Sequence, residues 1–468
     1  MKDTISMLLF QALSPAERLK FGKFLHSPYF NHRSDVKVLY QILQETAEEE
    51  RHALKKEAVF VRVYPDKPYD RQQCNLLLNW FSERLEQFLA CQELLDDRLQ
   101  NRLLRCRAFR KRGLGKHFEE NVHELERAHL NEPYRNAGFW LFEYQVQNEI
   151  FSYQIVQRRS GQTNLLAVTG ALTNFYLLEN LKWSGTTHSL EILAREPLPP
   201  VPMASEALEA VANIEEAVNP ALALMHAGYL ALQNPDDEAQ FQRLKHLLRS
   251  HVHLFPPAES RDLYMTAINF AIRQNNRGQR AYTAEAFELY REALEKDILL
   301  ESGQLAIYTY INILNLAQLN GENDWALQFL HRYRNFLPAA ERENGFRYAL
   351  ASYHFRRSEY RQVLELLREV EFSEVFVHLD ARKMLLRSYF ELQEWLSLAS
   401  LLDSFKAYVR RQKELGYHRD SYLNLIRFTK KLARPEGLKK ARAGALAHKI
   451  RETKLVAERD WLLGKLDP

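Results

Sequence analysis

Along most of the chain apolar residues recur at every third or fourth position, the period of helices with one buried face. The first stripe ends near Leu13. Ser14-Pro15-Ala16-Glu17 then reads as a capping box with proline at the first helical position. The serine hydroxyl accepts from the backbone N–H three residues on, and the glutamate reaches back. Leu19, Phe21, Phe24 and Leu25 supply the next stripe, which His26-Ser27-Pro28-Tyr29-Phe30-Asn31 breaks. A helix from about Ser34 uses Val36, Leu39, Tyr40, Ile42 and Leu43. After Tyr64-Pro65-Asp66-Lys67-Pro68-Tyr69, Asp70 is an N-cap. From it one long helix is expected to run toward Arg112 through Cys74, Leu77, Leu78, Phe81, Leu85, Phe88 and Leu89, with Gly113 and Gly115 ending it. Further helices span about Ala137 to Val156 and about Asn164 to Lys182.

Glu196-Pro197-Leu198-Pro199-Pro200-Val201-Pro202 holds four of the sixteen prolines, which cannot continue a helix. The main boundary is expected there. It separates an all-helical N-terminal domain of unassigned role (1–195) from a second region (203–468), joined by a linker (196–202). Pro256-Pro257 marks a lesser stop.

A repeat follows. Ala286-Phe287-Glu288-Leu289-Tyr290-Arg291-Glu292-Ala293-Leu294 aligns with Ala326-Leu327-Gln328-Phe329-Leu330-His331-Arg332-Tyr333 and with Val363-Leu364-Glu365-Leu366-Leu367-Arg368-Glu369-Val370. Leu398, Leu401, Leu402 and Phe405 keep the register, at intervals of 40, 37 and 35 residues. This is the spacing of a two-helix unit of about 34 residues with loop insertions. One hairpin cannot bury its apolar face alone; stacked neighbours cover each other and leave a groove on one side. Ala221 to His251 reads as an earlier, more degenerate hairpin. Ala457 to Leu466, with Trp461, Leu462 and Leu463, reads as a cap over the last apolar face.

Over roughly Leu263 to Arg411 the chain resembles the tetratricopeptide-repeat family. Ala286, Tyr290 and Ala293 match that family's second helix, as do Ala326 and Pro338 in the next unit. Tyr360 and Trp395 match the aromatic that opens the second helix; Leu350-Ala351 and Tyr389 match first-helix positions. The pattern departs at Val363 and Leu398, which replace a small residue, at His354, which replaces Tyr, and at an expected insertion over Asn275 to Tyr282. The resemblance implies an all-α fold: a right-handed superhelix of antiparallel helical hairpins, a tetratricopeptide-like α-solenoid, beside the N-terminal helical domain. It also implies a peptide or partner protein held in the groove lined by each repeat's first helix. The groove positions carried over are Asn315, then Tyr348, Ser352 and Arg356, then Lys383 and Arg387. The Lys/Asn set of chaperone-tail-binding relatives is not reproduced, because Ile311 holds the position where Lys would stand.

Composition agrees with a helical protein. The 468 residues include only 16 Gly and 16 Pro, well below the usual shares of about 7% and about 5%. Hydrophobic residues make up 46% and charged residues 26%, which argues against wholesale disorder. The formal charge of +4 gives no global basic character. Met7 to Phe10 is too short an apolar run for a signal peptide, and no run reaches the about 20 residues of a membrane span. Cys74, Cys91 and Cys106 share one helical stretch without a CxxC pair and read as reduced thiols. A cytoplasmic location is expected on these grounds.

Signals for chemistry are weak. His123-Glu124-Leu125-Glu126-Arg127-Ala128-His129 fails the i, i+4 spacing of a zinc-binding helix, because Arg127 holds the second position. His246, His251 and His253 cluster without a cysteine. Arg112-Gly113-Leu114-Gly115-Lys116-His117 lacks the Ser or Thr and the strand of a phosphate loop. No catalytic, metal or cofactor residue is assigned. Two basic stretches remain: Arg98, Arg102, Arg105, Arg107, Arg110, Lys111, Arg112 and Lys116, then Arg427, Lys430, Lys431, Arg434, Lys439, Lys440 and Arg442. Such clusters serve solvated helix faces, acidic proteins or phosphates. The sequence therefore favours a non-enzymatic scaffold for an unidentified protein or peptide. Nucleic acid bound by 98–116 and 427–442 ranks below it, and oligomeric state is left open.

Overall fold

The computed structural model describes residues 4–51, 53–157, 163–194, 196–368, 375–412, 415–433 and 440–466. Among them regular structure is helical apart from one short strand pair. The contacts divide the chain into two compact units, Met1–Pro133 with Gly138–Thr173 and Tyr134–Ala137 with Asn174–Pro468.

The first unit opens with α1 (Ile5–Ala12) and α2 (Pro15–His26), and the Ser14 capping box forms: Ser14 N–H donates to Glu17 (2.7 Å) and the serine oxygen accepts from the Glu17 N–H. α3 (Ser34–Glu45), α4 (Glu48–Arg51), α5 (Lys56–Val63) and α6 (Arg71–Asp96) follow. Asp70 caps α6 through the Gln72 and Gln73 amides. Phe10, Phe21, Phe60 and Phe81 are wholly buried in the core of these helices.

The helix expected to continue to Arg112 stops at Asp97. There the backbone turns extended, and the aspartate accepts from the Gln100 amide (2.9 Å), starting α7 (Arg98–Lys111). A short carboxylate competes with the helical ladder for amide hydrogens, so it ends one helix and caps the next. Gly113 closes α7 with a left-handed backbone (φ 68°), whereas Gly115 begins α8 (Gly115–Leu130). α9 (Ala137–Gln157) packs with α7 and α8 around Leu103, Cys106, Phe118, Leu125 and Val146. Within this bundle Glu149 is buried and receives Arg107 (2.7 Å) and Arg110 (2.8 Å). Burial would raise its carboxyl pKa, but the Arg110 and Arg107 bonds outweigh that and hold it below the ordinary range.

α10 (Leu165–Ala194) runs through the division between the units. That division falls at Thr173–Asn174 and not in the proline-rich stretch, which lies inside the second unit. Asn180 of α10 donates to the Pro202 carbonyl (2.9 Å), and Glu191 accepts from the Leu198 amide (3.0 Å). The prolines interrupt helix formation, but the segment is tied back onto α10.

The second unit continues with α11 (Ala204–Ala212) and then pairs: α12 (Pro220–Gln233) with α13 (Glu238–His251), α14 (Pro257–Asn276) with α15 (Ala281–Glu295), α16 (Ile307–Leu319) with α17 (Asn323–Tyr333), α18 (Arg342–Arg356) with α19 (Tyr360–Leu367), and α20 (Val375–Glu391) with α21 (Trp395–Arg411). α22 (Tyr417–Leu432), α23 (Lys440–Glu452) and α24 (Arg459–Gly464) complete it. First helices also touch across pairs: α12 meets α14, α16 meets α18, and α18 meets α20.

Four of the pairs close with one turn. Its left-handed residue is Gly278, Gly321, Ser358 or Gln393. The amide one residue later bonds to the carbonyl five residues before it: Gln279 to Gln274, Glu322 to Ala317, Glu359 to His354, Glu394 to Tyr389. This geometry satisfies the last carbonyls of the first helix and reverses the chain. The α14–α15 connection closes with the same turn and is only one residue longer than the other three, so the insertion expected at 275–282 is not there. The extra residues sit between α15 and α16, where β1 (Leu300–Glu301) and β2 (Gln304–Leu305) pair antiparallel about left-handed Ser302 and Gly303.

Ala286, Ala326, Val363 and Leu398, aligned by the repeat, are each at most 1% exposed. One apolar cluster runs from Ala221 on α12 to Tyr353 on α18. A smaller one joins Ile311, Tyr348, Ala351, Val363, Ala381 and Met384, and a third reaches from Leu379 to Leu462. Trp461 and Leu462 of α24 lie in that third cluster, over the last apolar face. Among the described residues no helix is long and apolar enough to cross a membrane.

Two stability predictions follow from this geometry. Gly321→Ala places a Cβ on a left-handed backbone and is expected to cost about 1 kcal/mol or more, while Gln393→Gly relieves the same strain and gains about 0.5–1 kcal/mol; urea melts of both variants check the opposite signs. A carboxylate whose folded pKa lies below its unfolded value stabilises above the unfolded value and loses that contribution as pH falls through the folded one. Glu149→Gln is therefore expected to destabilise by about 2 kcal/mol at neutral pH, and melts repeated below about pH 4.3 should show the difference shrinking.

Candidate functional site

Residues spaced by three or four share a helix face. On α18 this spacing aligns Tyr348, Ser352 and Arg356; on the neighbouring α20 it aligns Asp380, Lys383 and Arg387. The two faces meet in a half-buried ionic cluster. Tyr348 donates its hydroxyl to Asp380 (2.7 Å), and Lys383 forms an ion pair with the same carboxylate. Glu458, far along the chain at the start of α24, adds a second carboxylate, 2.9 Å from Arg387 and 3.8 Å from Lys383. The Arg387 guanidinium lies over the Phe355 and Trp461 rings, 5.0 and 5.8 Å from their centroids. Trp461 donates its indole N–H to Glu391 (2.6 Å), which also pairs with Lys465 (2.7 Å).

The electrostatics follow from burial beside two carboxylates. Burial and then Asp380 raise the pKa of the Tyr348 phenol, and the same two causes raise that of Tyr422 on α22. Both phenols stay protonated and act as fixed donors. Burial alone would lower the Lys383 ammonium, but Asp380 and Glu458 together hold it above the ordinary lysine range. Arg356 reaches water, yet the surrounding protein lowers its pKa against the pull of Asp380 and Glu458. Three cations thus face two carboxylates, and Arg356 forms no contact ion pair among the described residues. Fixed positive charge and hydroxyl donors of this kind have the chemistry that pairs with carboxylates.

The structure brings four of the six residues expected in the groove into this cluster: Tyr348, Arg356, Lys383 and Arg387. Tyr348 and Ser352 are both buried on this face. Asn315, half-buried on α16, shares none of these bonds. Asp380, Tyr422 and Glu458 were not expected. Asp380 was within reach of the sequence, since it stands three residues before Lys383 on one face. Glu458 is joined to the site only by the fold.

The basic stretches divide. Arg98 and Arg105 are exposed, Arg102 pairs with Glu124, and Arg107 and Arg110 hold Glu149, so part of the first stretch is structural. In the second, Arg427, Lys430 and Lys431 line a shallow depression with Lys406 and Arg410 of α21; Lys430 pairs there with Asp403 (3.0 Å). Arg434 and Lys439 lie outside the described residues, as do the side chains of Lys440 and Arg442.

Two of the remaining histidine candidates have local partners, whereas His246 and His253 are exposed. His129 is buried, pairs with Glu143 (3.2 Å) and stacks on Phe139. His251 pairs with Glu216 (3.1 Å). The three cysteines are free thiols, and burial pushes Cys106 up to about 11, away from thiolate reactivity. A second concavity, between α10, α12 and α14, is lined by Leu181, Gly185, Met225, Gly228, Leu263 and Met265. No family model, curated protein or solved structure matches the chain.

Proposed function

We propose that the chain is a non-enzymatic interaction scaffold. Its second-unit hairpins stack as a tetratricopeptide-like α-solenoid, and a partner segment is held against the first-helix side. The observation that carries this reading is the cluster of Tyr348, Arg356, Lys383 and Arg387 on adjoining first helices. A face that only packed against its neighbours would gain nothing from half-buried charge, because desolvating ions offsets most of their attraction. The shared turn geometry, the contacts between successive first helices and the core extending from pair to pair support the stacking.

A second reading rests on the five cations that line the depression between α21 and α22. Binding to single-stranded RNA or DNA that weakens steeply with added salt, and falls when Lys406, Arg410, Arg427 and Lys431 become Gln, would favour it.

The scaffold reading is tested by affinity capture from native-host extract, using the wild-type chain and Arg356→Gln, Lys383→Gln, Arg387→Gln combined. At least one protein retained by the wild type is expected to be lost from the triple variant, at unchanged helix content. An identical set of retained proteins would contradict the assignment.

A further inference from the structure

The segment 455–466 meets the ionic cluster in a way that a plain hydrophobic cap does not require. Only Trp461 and Leu462 of α24 are buried. Val456, Ala457, Leu463 and Leu466 pack part-buried against the same apolar cluster, and polar attachments join them: Asn424 donates to the Leu455 carbonyl (2.8 Å), the Ala457 amide to the Ser421 carbonyl (3.3 Å), Trp461 and Lys465 bond Glu391, and Glu458 meets Lys383 and Arg387. Glu458 has a left-handed backbone (φ 52°, ψ 37°) that a non-glycine residue adopts only at a cost. It starts α24 without a side-chain cap, because its carboxylate is turned to the cations of α20. The cluster therefore sets the direction of the Glu458 side chain, while its carbonyl accepts from the Leu462 amide (3.0 Å) of α24.

The segment also leaves the cluster incompletely matched. Arg387 Nε is buried with no acceptor among the described residues. Arg356 adds positive charge that no contact carboxylate meets. A ligand with the same carboxylate and aromatic groups, and one acidic group more, would satisfy donors that Glu458 leaves open.

We propose that residues 455–466 are a built-in ligand: Glu458 and Trp461 occupy the basic end of the first-helix face, and an acidic partner segment with an aromatic residue one helical turn after a carboxylate displaces them. This rests on the scaffold reading and names its partner chemistry. The chain's own segment supplies the argument, because it shows which groups the site accepts: a carboxylate between Lys383 and Arg387, and an indole beside the Arg387 guanidinium. Binding and release are then one exchange, and partner affinity is reduced by the fraction of time the segment is in place.

The test uses the full chain and a labelled peptide of the sequence Thr453–Leu466, followed by fluorescence anisotropy. The chain opened by Glu458→Gln and Trp461→Ala is expected to bind the peptide about tenfold more tightly than wild type. Adding Lys383→Gln and Arg387→Gln to the opened chain, or Glu458→Gln to the peptide, should each remove about tenfold. Equal binding by opened and wild-type chains, or binding indifferent to these changes, overturns the proposal. Hydrogen exchange on the unaltered chain decides independently of how the variants fold. Amides of 459–464 are expected to exchange about a hundredfold faster than those of 425–432; equal rates make the segment part of the core and overturn the built-in ligand. That outcome leaves the scaffold reading to stand or fall on the capture experiment.

Discussion

Two short helices joined by a tight turn can hide one apolar side against each other and are left with another exposed. The second unit meets this constraint by sharing. Tyr264, Tyr290 and Tyr310 are fully buried among successive pairs, and two of them keep the hydroxyl on a polar partner: Tyr264 on Lys296 and Tyr310 on the Leu330 carbonyl. Large rings fill the space between pairs, and their polar tips fix the register. Small residues such as Ala286 and Ala326 let the helices approach. In the proposed stacking of hairpins, core is distributed along the chain and each pair depends chiefly on its neighbours.

Sharing apolar surface on one side frees the other for charge. The α18–α20 faces show the consequence. Lys383 cannot be desolvated alone, so Asp380 lies beside it on the same helix, and Tyr348 supplies a donor from the next pair. Arg387 needs a further acceptor and finds it in Glu458. Removing one member strands the others in a low-dielectric setting, so the members of the cluster depend on one another.

Much of the architecture is legible in local chemistry. Ser14 and Asp70 cap as read, because capping needs only a few adjacent residues. Asp97 has the same chemistry but sits inside an unbroken apolar stripe, and periodicity hid it. Gly278 and Gly321 announce left-handed turns, whereas Ser358 and Gln393 adopt the same backbone without a glycine, so the turn shared by all four emerges only in three dimensions. The proline-rich stretch is a true interruption of helix, but whether such a stretch links or packs depends on distant partners such as Asn180. In the candidate site, the α18 and α20 residues are those that the tetratricopeptide-repeat resemblance carried over, and helical spacing puts them on one face of each helix. Glu458 does not, because no local rule couples it to α20.

The dependence of each pair on its neighbours is tested most directly by hydrogen exchange across the second unit of a chain carrying Phe405→Ala on α21. Nearest-neighbour coupling predicts protection lost most in α20 and α22, less in α18 and α19, and little in α12 and α13. A uniform loss from α12 to α24 would mean one indivisible core and would contradict the stacking of hairpins.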